Sequence, residues 1–172
     1  GQTGQGTQAV AVGYLAGNTD QEQASIAIGR EAGKTNQGLV STAIGYGAGE
    51  DNQDEYAIAI GYQTAKTTQG SSAIAVGTSA GKTTQAPAAI AIGASAGETT
   101  QSTFAVAIGN ASGYTGQGES ATAVGHNSGQ TDQGNNATAV GRQAGMNNQG
   151  IGTVSVGIQA GMESQGQDAV AI

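Results

Sequence analysis

The sequence predicts an all-β fold, a parallel β-solenoid (a β-roll) of about eleven coils with sixteen residues in each coil. Three observations support this prediction: a strict sixteen-residue period, an alternation of small and β-branched residues within each period, and glycine or polar turn residues between the alternating segments. A fixed period of this length is typical of solenoids, in which each coil contacts only its neighbours. We therefore interpret the chain one coil at a time.

The sixteen-residue period divides residues 1–172 into a single repeat domain. This domain comprises a partial coil over residues 1–8, ten full coils over residues 9–168 and a partial coil over residues 169–172. Because both terminal coils are incomplete and lack the atypical sequence of a capping coil, we expect the chain to be a segment of a longer protein.

Each coil contains a five-residue segment in which small and β-branched residues alternate, as in residues 57–61, Ala-Ile-Ala-Ile-Gly. A period of two places the second and fourth residues on one face of a strand and the other three on the opposite face. Isoleucine and valine prefer extended backbone, and so short a segment does not favour a helix. We therefore predict strands at residues 9–13 and at the equivalent positions of later coils.

A second, polar strand is predicted at residues 18–22 and its equivalents, around a Thr-variable-Gln segment that ends in glutamine in every coil. At the ~4.8 Å spacing of adjacent strands, stacked amides could hydrogen-bond to one another or cap backbone groups at a corner. A residue repeated in this way fits a structural role better than a catalytic one, since catalysis needs one convergent site. The predicted glutamine ladder consists of Gln21, Gln37, Gln53, Gln69, Gln85, Gln101, Gln117, Gln133, Gln149 and Gln165.

Small residues mark the turns between the strands. Two variable residues and then a small pair, such as Ala80 and Gly81, follow each alternating segment, and glycine there accepts a positive φ without steric cost. Ala65 takes the place of this glycine in one coil, so the sequence predicts a strained or rearranged corner. The turn before the alternating segment is the most variable part of the coil and is expected to be exposed.

The lumen of so short a coil is only a side chain or two wide, so the isoleucine and valine rows must take one of two positions. If alanine and glycine point inward, an aliphatic stripe faces outward and requires a partner, since soluble monomers rarely expose a large apolar patch. If isoleucine and valine point inward instead, a monomer could be stable. We favour the first arrangement and predict a homotrimer whose axis is lined by the fourth residue of each alternating segment. The predicted interface residues are Val12, Ile28, Ile44, Ile60, Val76, Ile92, Ile108, Val124, Val140 and Val156.

Composition disfavours several function classes. The formal net charge is −7 and only five residues are basic, which disfavours nucleic acid as a partner. Apolar runs of about five residues fall far short of the ~20 needed to cross a bilayer, so no direct membrane insertion is expected. The chain has no cysteine, and its single histidine, His126, occupies a variable turn position where a solvated role is expected. Because no acid, base, nucleophile or metal-ligand set converges, we predict a protein that is not an enzyme and has no cofactor or metal.

One acidic cluster is the strongest candidate for cation binding. Glu50, Asp51, Asp54 and Glu55 could hold a cation if their carboxylates converge. A charged turn that stays solvated is the favoured interpretation.

One column of side chains is a candidate ligand site. Tyr14, Arg30, Tyr46 and Tyr62 occupy equivalent positions on four successive coils. Aromatic rings and a guanidinium group ~4.8 Å apart could present a stripe that suits the flat faces of glycans. Alternatively, these side chains only stack on one another and shield the turn.

The alternating segment followed by spaced alanine and glycine resembles the head repeat of trimeric autotransporter adhesins of the YadA type. The likeness covers the whole chain, although the typical repeat of that family is shorter than sixteen residues. Longer repeats of this kind also resemble those of viral fibre and surface proteins. The resemblance implies a left-handed parallel β-roll, three chains packed around a threefold axis, and a location at a cell or virion surface.

These observations together predict a structural and adhesive module of an extracellular protein. Its expected partners are further copies of itself in a homotrimer and a host glycan or extracellular matrix ligand. The alternative is an ice-binding or ice-nucleating solenoid, because regular threonine rows on a flat sheet can order water. The threonine row is interrupted by Asp51, Asn147 and Glu163, and glutamine rather than a second threonine accompanies it, so this alternative is disfavoured.

Overall fold

The computed structural model describes residues 3–172, which form an all-β parallel β-solenoid with no helix. Two sheets run along the solenoid, one with eleven strands and one with ten. Each residue pairs with its equivalents in the adjacent coils, so that Ala75 pairs with Ala59 and with Ala91 in parallel register. The prediction of about eleven stacked coils with sixteen-residue spacing is therefore confirmed.

The eleven-stranded sheet contains the alternating segments, and we call it the aliphatic sheet. Its strands are Val10–Val12, Ile26–Ile28, Thr42–Ile44, Ile58–Ile60, Ile74–Val76, Ile90–Ile92, Val106–Ile108, Thr122–Val124, Thr138–Val140, Val154–Val156 and Val170–Ala171. The ten-stranded sheet contains the glutamine segments, and we call it the polar sheet. Its strands are Thr3–Gln5, Thr19–Gln21, Thr35–Gln37, Asp51–Gln53, Thr68–Gln69, Thr84–Gln85, Thr100–Gln101, Thr115–Gln117, Thr131–Gln133 and Asn147–Gln149.

Alanine forms the core between the two sheets. The middle residue of the aliphatic strand points inward, and Ala59, Ala75 and Ala91 are fully buried. A second buried row comes from the small residue in the following turn, such as Ala80 and Ala96. Since successive side chains of a strand point to opposite faces, the isoleucine and valine residues on either side of each alanine point outward. The solenoid thus has the first of the two arrangements considered above.

The glycine that follows each aliphatic strand is required because neighbouring coils approach closely at this point. Gly93 has a φ of 129°, and a Cβ added to it would lie 2.6 Å from the carbonyl oxygen of Gly109 in the next coil. That contact is far shorter than real Cβ atoms make, and the φ itself is strained for any residue with a side chain. The glycine row therefore sets how closely the coils can stack.

Ala65 has the same backbone conformation as the glycine at the equivalent position of the other coils. Ala65 has a φ of 46°, close to the 54° of Gly81 in the next coil. The neighbouring Thr64 hydroxyl donates a hydrogen bond to the carbonyl oxygen of Gly77. The corner is therefore strained rather than rearranged, because the stacked coils impose a left-handed conformation on an alanine.

The middle residue of the polar strand decides the local shape of that strand. Asn36 and Asn52 have φ values of 51° and 55°, which asparagine tolerates because its short polar side chain can bond locally. Three consecutive coils have threonine there instead, and a β-branched side chain disfavours the left-handed region. Those threonines keep a negative φ, and the strands begin at this residue, as in Thr84–Gln85.

We expect Gly93→Ala to lower the stability of the protein by about 3 kcal/mol, because strain at φ and overpacking each cost about 1–3 kcal/mol. Gly166→Ala is the matched control, since a Cβ at Gly166 meets no atom within 4 Å. The melting temperatures of both variants are measured by monitoring thermal unfolding with circular dichroism. Equal melting temperatures would contradict the close approach of the coils at the glycine row.

Candidate functional site

The outward surface of the aliphatic sheet is the largest apolar feature of the solenoid, and we call it the aliphatic face. It is formed by the first and third residues of the ten three-residue aliphatic strands together with Val170, all of which are isoleucine or valine except for Thr42, Thr122 and Thr138. Ile92 and Val156 each expose 39% of their surface. All ten residues predicted to line a trimer axis lie on this face.

The aliphatic face is long and continuous. Eleven strands spaced ~4.8 Å apart extend for about 50 Å along the solenoid. Soluble monomers rarely expose contiguous apolar patches larger than about 300–600 Å². Such a surface is typical of an interaction site.

The recurring glutamines point into the solenoid and are buried between the sheets. The Gln85 amide nitrogen donates to the carbonyl oxygen of Ile74 at 2.8 Å and to that of Ala89 at 3.2 Å. It also lies 3.2 Å from Oε1 of Gln101 in the next coil. Each central glutamine therefore bonds to its neighbour along the stack and to backbone groups of the aliphatic side of its coil. The two roles considered for these amides occur together.

The glutamine ladder is continuous only in the central part of the solenoid. Side-chain bonds connect successive amides from Gln37 to Gln133, always with Nε2 donating to Oε1 of the following coil. Beyond that point, Ser155 replaces the core alanine, and its hydroxyl lies 2.6 Å from Gln149 Nε2 and 2.6 Å from Gln165 Oε1. Gln149 Nε2 still donates to Gln165 Oε1 at 3.1 Å, so the ladder is interrupted between Gln133 and Gln149 and resumes in the next coil.

The aromatic column at one corner is packed against itself. The Arg30 guanidinium lies 5.6 Å from the centre of the Tyr14 ring and 5.5 Å from that of Tyr46. The rings of Tyr46 and Tyr62 stack with centres 5.3 Å apart and planes inclined by 19°. Both faces of Tyr46 are thus covered by neighbours, whereas Tyr14 and Tyr62, at the two ends of the column, are 67% and 52% exposed. In this geometry the four side chains stack on one another.

A charged column lies at the same corner, where the corner meets the polar sheet. The Glu50 carboxylate accepts from Lys34 Nζ at 3.3 Å and lies 3.5 Å from Lys66 Nζ, one coil away on each side. The hydrogen bond to Glu50 raises the pKa of Lys34 above its usual value. The charged column of Lys34, Glu50 and Lys66 was not predicted from the sequence, although the sixteen-residue spacing places the three residues in one column.

The acidic cluster does not form a metal site in the described part of the chain. Glu50 is engaged by the two lysines, and among residues 3–172 no three acidic or histidine side chains are grouped to hold a metal ion. His126 is exposed in its turn. No helix in this part of the chain has the length and hydropathy needed to cross a membrane.

The fold and these surfaces define a parallel β-solenoid repeat protein. No protein-family model, curated protein or solved structure matches the chain. The functional interpretation therefore starts from the surfaces of the solenoid itself.

We expect Gln85→Leu to destabilise the solenoid by about 3 kcal/mol, because a buried polar group left without a partner costs about 1–3 kcal/mol. The substitution removes the donor to two backbone carbonyls and both ladder bonds of this residue. Thr84→Leu, at an exposed neighbouring position, should change stability by less than about 0.5 kcal/mol. Chemical denaturation measures both variants, and equal losses would show that the ladder contributes nothing specific.

Proposed function

We propose that this chain is a non-enzymatic structural and adhesive module, a stiff homotrimeric rod within an extracellular surface adhesin or virion fibre. The observation that supports the proposal is the aliphatic face, a continuous row of exposed and half-buried isoleucine and valine side chains along the whole solenoid. A solenoid with no convergent catalytic group and one apolar side is suited to assembly and to spacing. Attachment would then use the surfaces that remain exposed in the assembly.

Burial of the aliphatic face supplies the driving force for association. Burying one isoleucine side chain contributes roughly 1.5–3 kcal/mol, and Ile28, Ile60, Ile92 and Ile108 are each more than one-third exposed in the single chain. Because the face continues through every coil of the stack, copies of the chain can contact one another along its length. The resemblance to YadA-type head repeats favours three chains and a left-handed roll.

The outer surface of such a trimer would be the polar sheet and the turns. This surface carries threonine, asparagine and aspartate side chains in repeated rows, as in Thr19–Gln21 and Thr131–Gln133. Repeated polar groups suit multivalent contact with a host glycan or a matrix protein, in which many weak contacts act together. Binding to immobilised glycans and to collagen-type matrix, compared between the trimer and a dissociated variant, tests the adhesive part of the proposal.

The trimer is tested by the substitution Ile92→Asp, which places one carboxylate per chain in the apolar contact. Desolvation and mutual repulsion of these charges oppose assembly. We expect the parent protein to have three times the mass of the chain by light scattering, and the variant to dissociate at micromolar concentration. Thr84→Asp, on the exposed polar sheet, is the control and should leave the mass unchanged. A monomeric parent protein, or an intact Ile92→Asp trimer, would overturn the proposal.

One observation bears on the alternative ice-binding function. Three consecutive coils present pairs of adjacent threonines on the polar side, and most of these residues are exposed; they are Thr67 and Thr68, Thr83 and Thr84, and Thr99 and Thr100. Their regular spacing is the feature that an ice-binding surface requires.

We expect no thermal hysteresis from the purified protein. The threonine array extends over only three coils, and the flanking polar strands have aspartate, asparagine or glycine at the second position. Nanolitre osmometry measures the thermal hysteresis. A clear separation of freezing and melting temperatures, abolished by Thr84→Leu, would favour the ice-binding function instead.

A further inference from the structure

All basic residues of the chain lie on one edge of the aliphatic face. This edge, which we call the basic edge, is the corner between the end of an aliphatic strand and the start of the following polar strand. Its basic residues occupy only two positions of the repeat, which are two and six residues after the aliphatic strand. They are Arg30, Lys34, Lys66, Lys82 and Arg142, together with His126.

The opposite edge is purely acidic. This acidic edge is the corner between the end of a polar strand and the start of the next aliphatic strand. It contains no lysine or arginine. Its charged residues, all exposed, are Glu22, Asp54, Glu55, Glu119 and Asp168. The two sides of the aliphatic face therefore differ in charge along much of the solenoid.

The two edges also differ in how their charges are paired within the chain. The carboxylates of Glu31, Glu50 and Glu98 lie on the basic edge and pair with its arginine and lysine residues at 3.3–3.9 Å. None of the acidic-edge carboxylates forms an ion pair within residues 3–172. Arg142 likewise forms no ion pair in this part of the chain. The acidic-edge carboxylates and Arg142 thus remain unpaired in this part of the chain, whereas the other arginine and the three lysines of the basic edge already have a carboxylate beside them.

Symmetry determines which edges meet when copies pack through the aliphatic face. If the symmetry axis is parallel to the solenoid, all chains lie side by side and run in the same direction. The basic edge of one chain then lies beside the acidic edge of the next. If two chains pack face to face in antiparallel orientation, basic meets basic and acidic meets acidic. Like charges placed side by side disfavour the antiparallel arrangement.

We propose that the basic and acidic edges form a charged seam between adjacent parallel chains and thereby fix their relative orientation. The inference rests on the proposed homotrimer and adds the polar contact that selects the parallel form. The partner at each seam is a second copy of this chain.

Opposite charges lie at the same height along the solenoid at two of the aliphatic strands. Rotation about an axis parallel to the solenoid does not change height, so the two ends of the same strand meet across the seam. Glu22 and Arg30 are at opposite ends of the strand Ile26–Ile28. The strand Ile58–Ile60 likewise has Asp54 and Glu55 before it and Lys66 after it.

Charge reversal tests the seam without changing the aliphatic face. The variant Glu22→Lys/Asp54→Lys and the variant Arg30→Glu/Lys66→Glu should each raise the concentration at which the assembly half-dissociates by about tenfold, because each close like-charge contact is unfavourable by an amount of the order of 1 kcal/mol. The fourfold variant, which has the net charge of the parent protein, should restore assembly.

Net charge alone predicts a different result. The first double variant reduces the magnitude of the net charge of −7, so general repulsion between chains would make it assemble more tightly than the parent protein. Sedimentation equilibrium at low and high salt separates the two explanations, and circular dichroism verifies that all variants keep their strands. Tighter assembly of this variant, or no recovery in the fourfold variant, would overturn the seam while leaving the trimer in place.

Crosslinking tests the parallel orientation directly. The chain has no cysteine, so Glu119→Cys/His126→Cys introduces one thiol at each end of the same strand. A short bis-maleimide reagent should join neighbouring chains into covalent trimers on a denaturing gel. Glu119→Cys with Ile158→Cys, two strands further along, is the control and should give none. A trimer by light scattering without crosslinks would overturn the seam alone, whereas a monomer would overturn the trimer as well.

Discussion

The narrow space between the two sheets is the constraint on which the rest of the structure depends. Coils that stack through Gly93 and its equivalents leave room inside only for small residues, mostly alanine with some serine and threonine, and for one glutamine per coil. Larger aliphatic side chains have no place there, so they lie outside on the sheet. The apolar surface that would usually form the core of a globular domain is thus a surface available for association.

The interior is unusual because its largest side chains are polar. Gln69, Gln85 and Gln101 are fully or almost fully buried, and each uses its amide nitrogen for several bonds at once. A buried amide is costly unless it is paired, and the neighbouring coil supplies the partner only when it stacks in register. The ladder therefore favours the correct register more strongly than a core of alanine alone, because its hydrogen bonds form only in that register. Ser155 shows how sensitive this network is, since one added hydroxyl redirects Gln149.

Much of the fold could be predicted from the sequence because every coil repeats the same local information. The strands lie within the predicted segments, as Val10–Val12 and Thr19–Gln21 show. Alternation alone could not decide which face is internal, since alanine and isoleucine both fit a strand. That choice depends on the distance between the sheets, which is a property of the whole stack.

The candidate sites were less predictable, because they depend on side-chain packing across coils. The position of Tyr46 in a column was clear from the spacing, but the coverage of both its ring faces was not. The pairing of Glu50 with lysines in the adjacent coils and the separation of charge between the two edges were both readable from the repeat phase. Neither feature was predicted, because charged residues are few and the separation is visible only when their positions within the repeat are compared.

The strict phase of the coils has a consequence for how such a chain can change length. Gain or loss of a whole coil of sixteen residues alters the rod by one strand spacing, about 4.8 Å, and leaves each surface row intact. Gain or loss of one residue within a strand would turn the following side chains to the opposite face. Duplication of entire coils is therefore the change that this architecture accommodates, and reach can vary in small, equal steps while each coil keeps the same contacts with its neighbours.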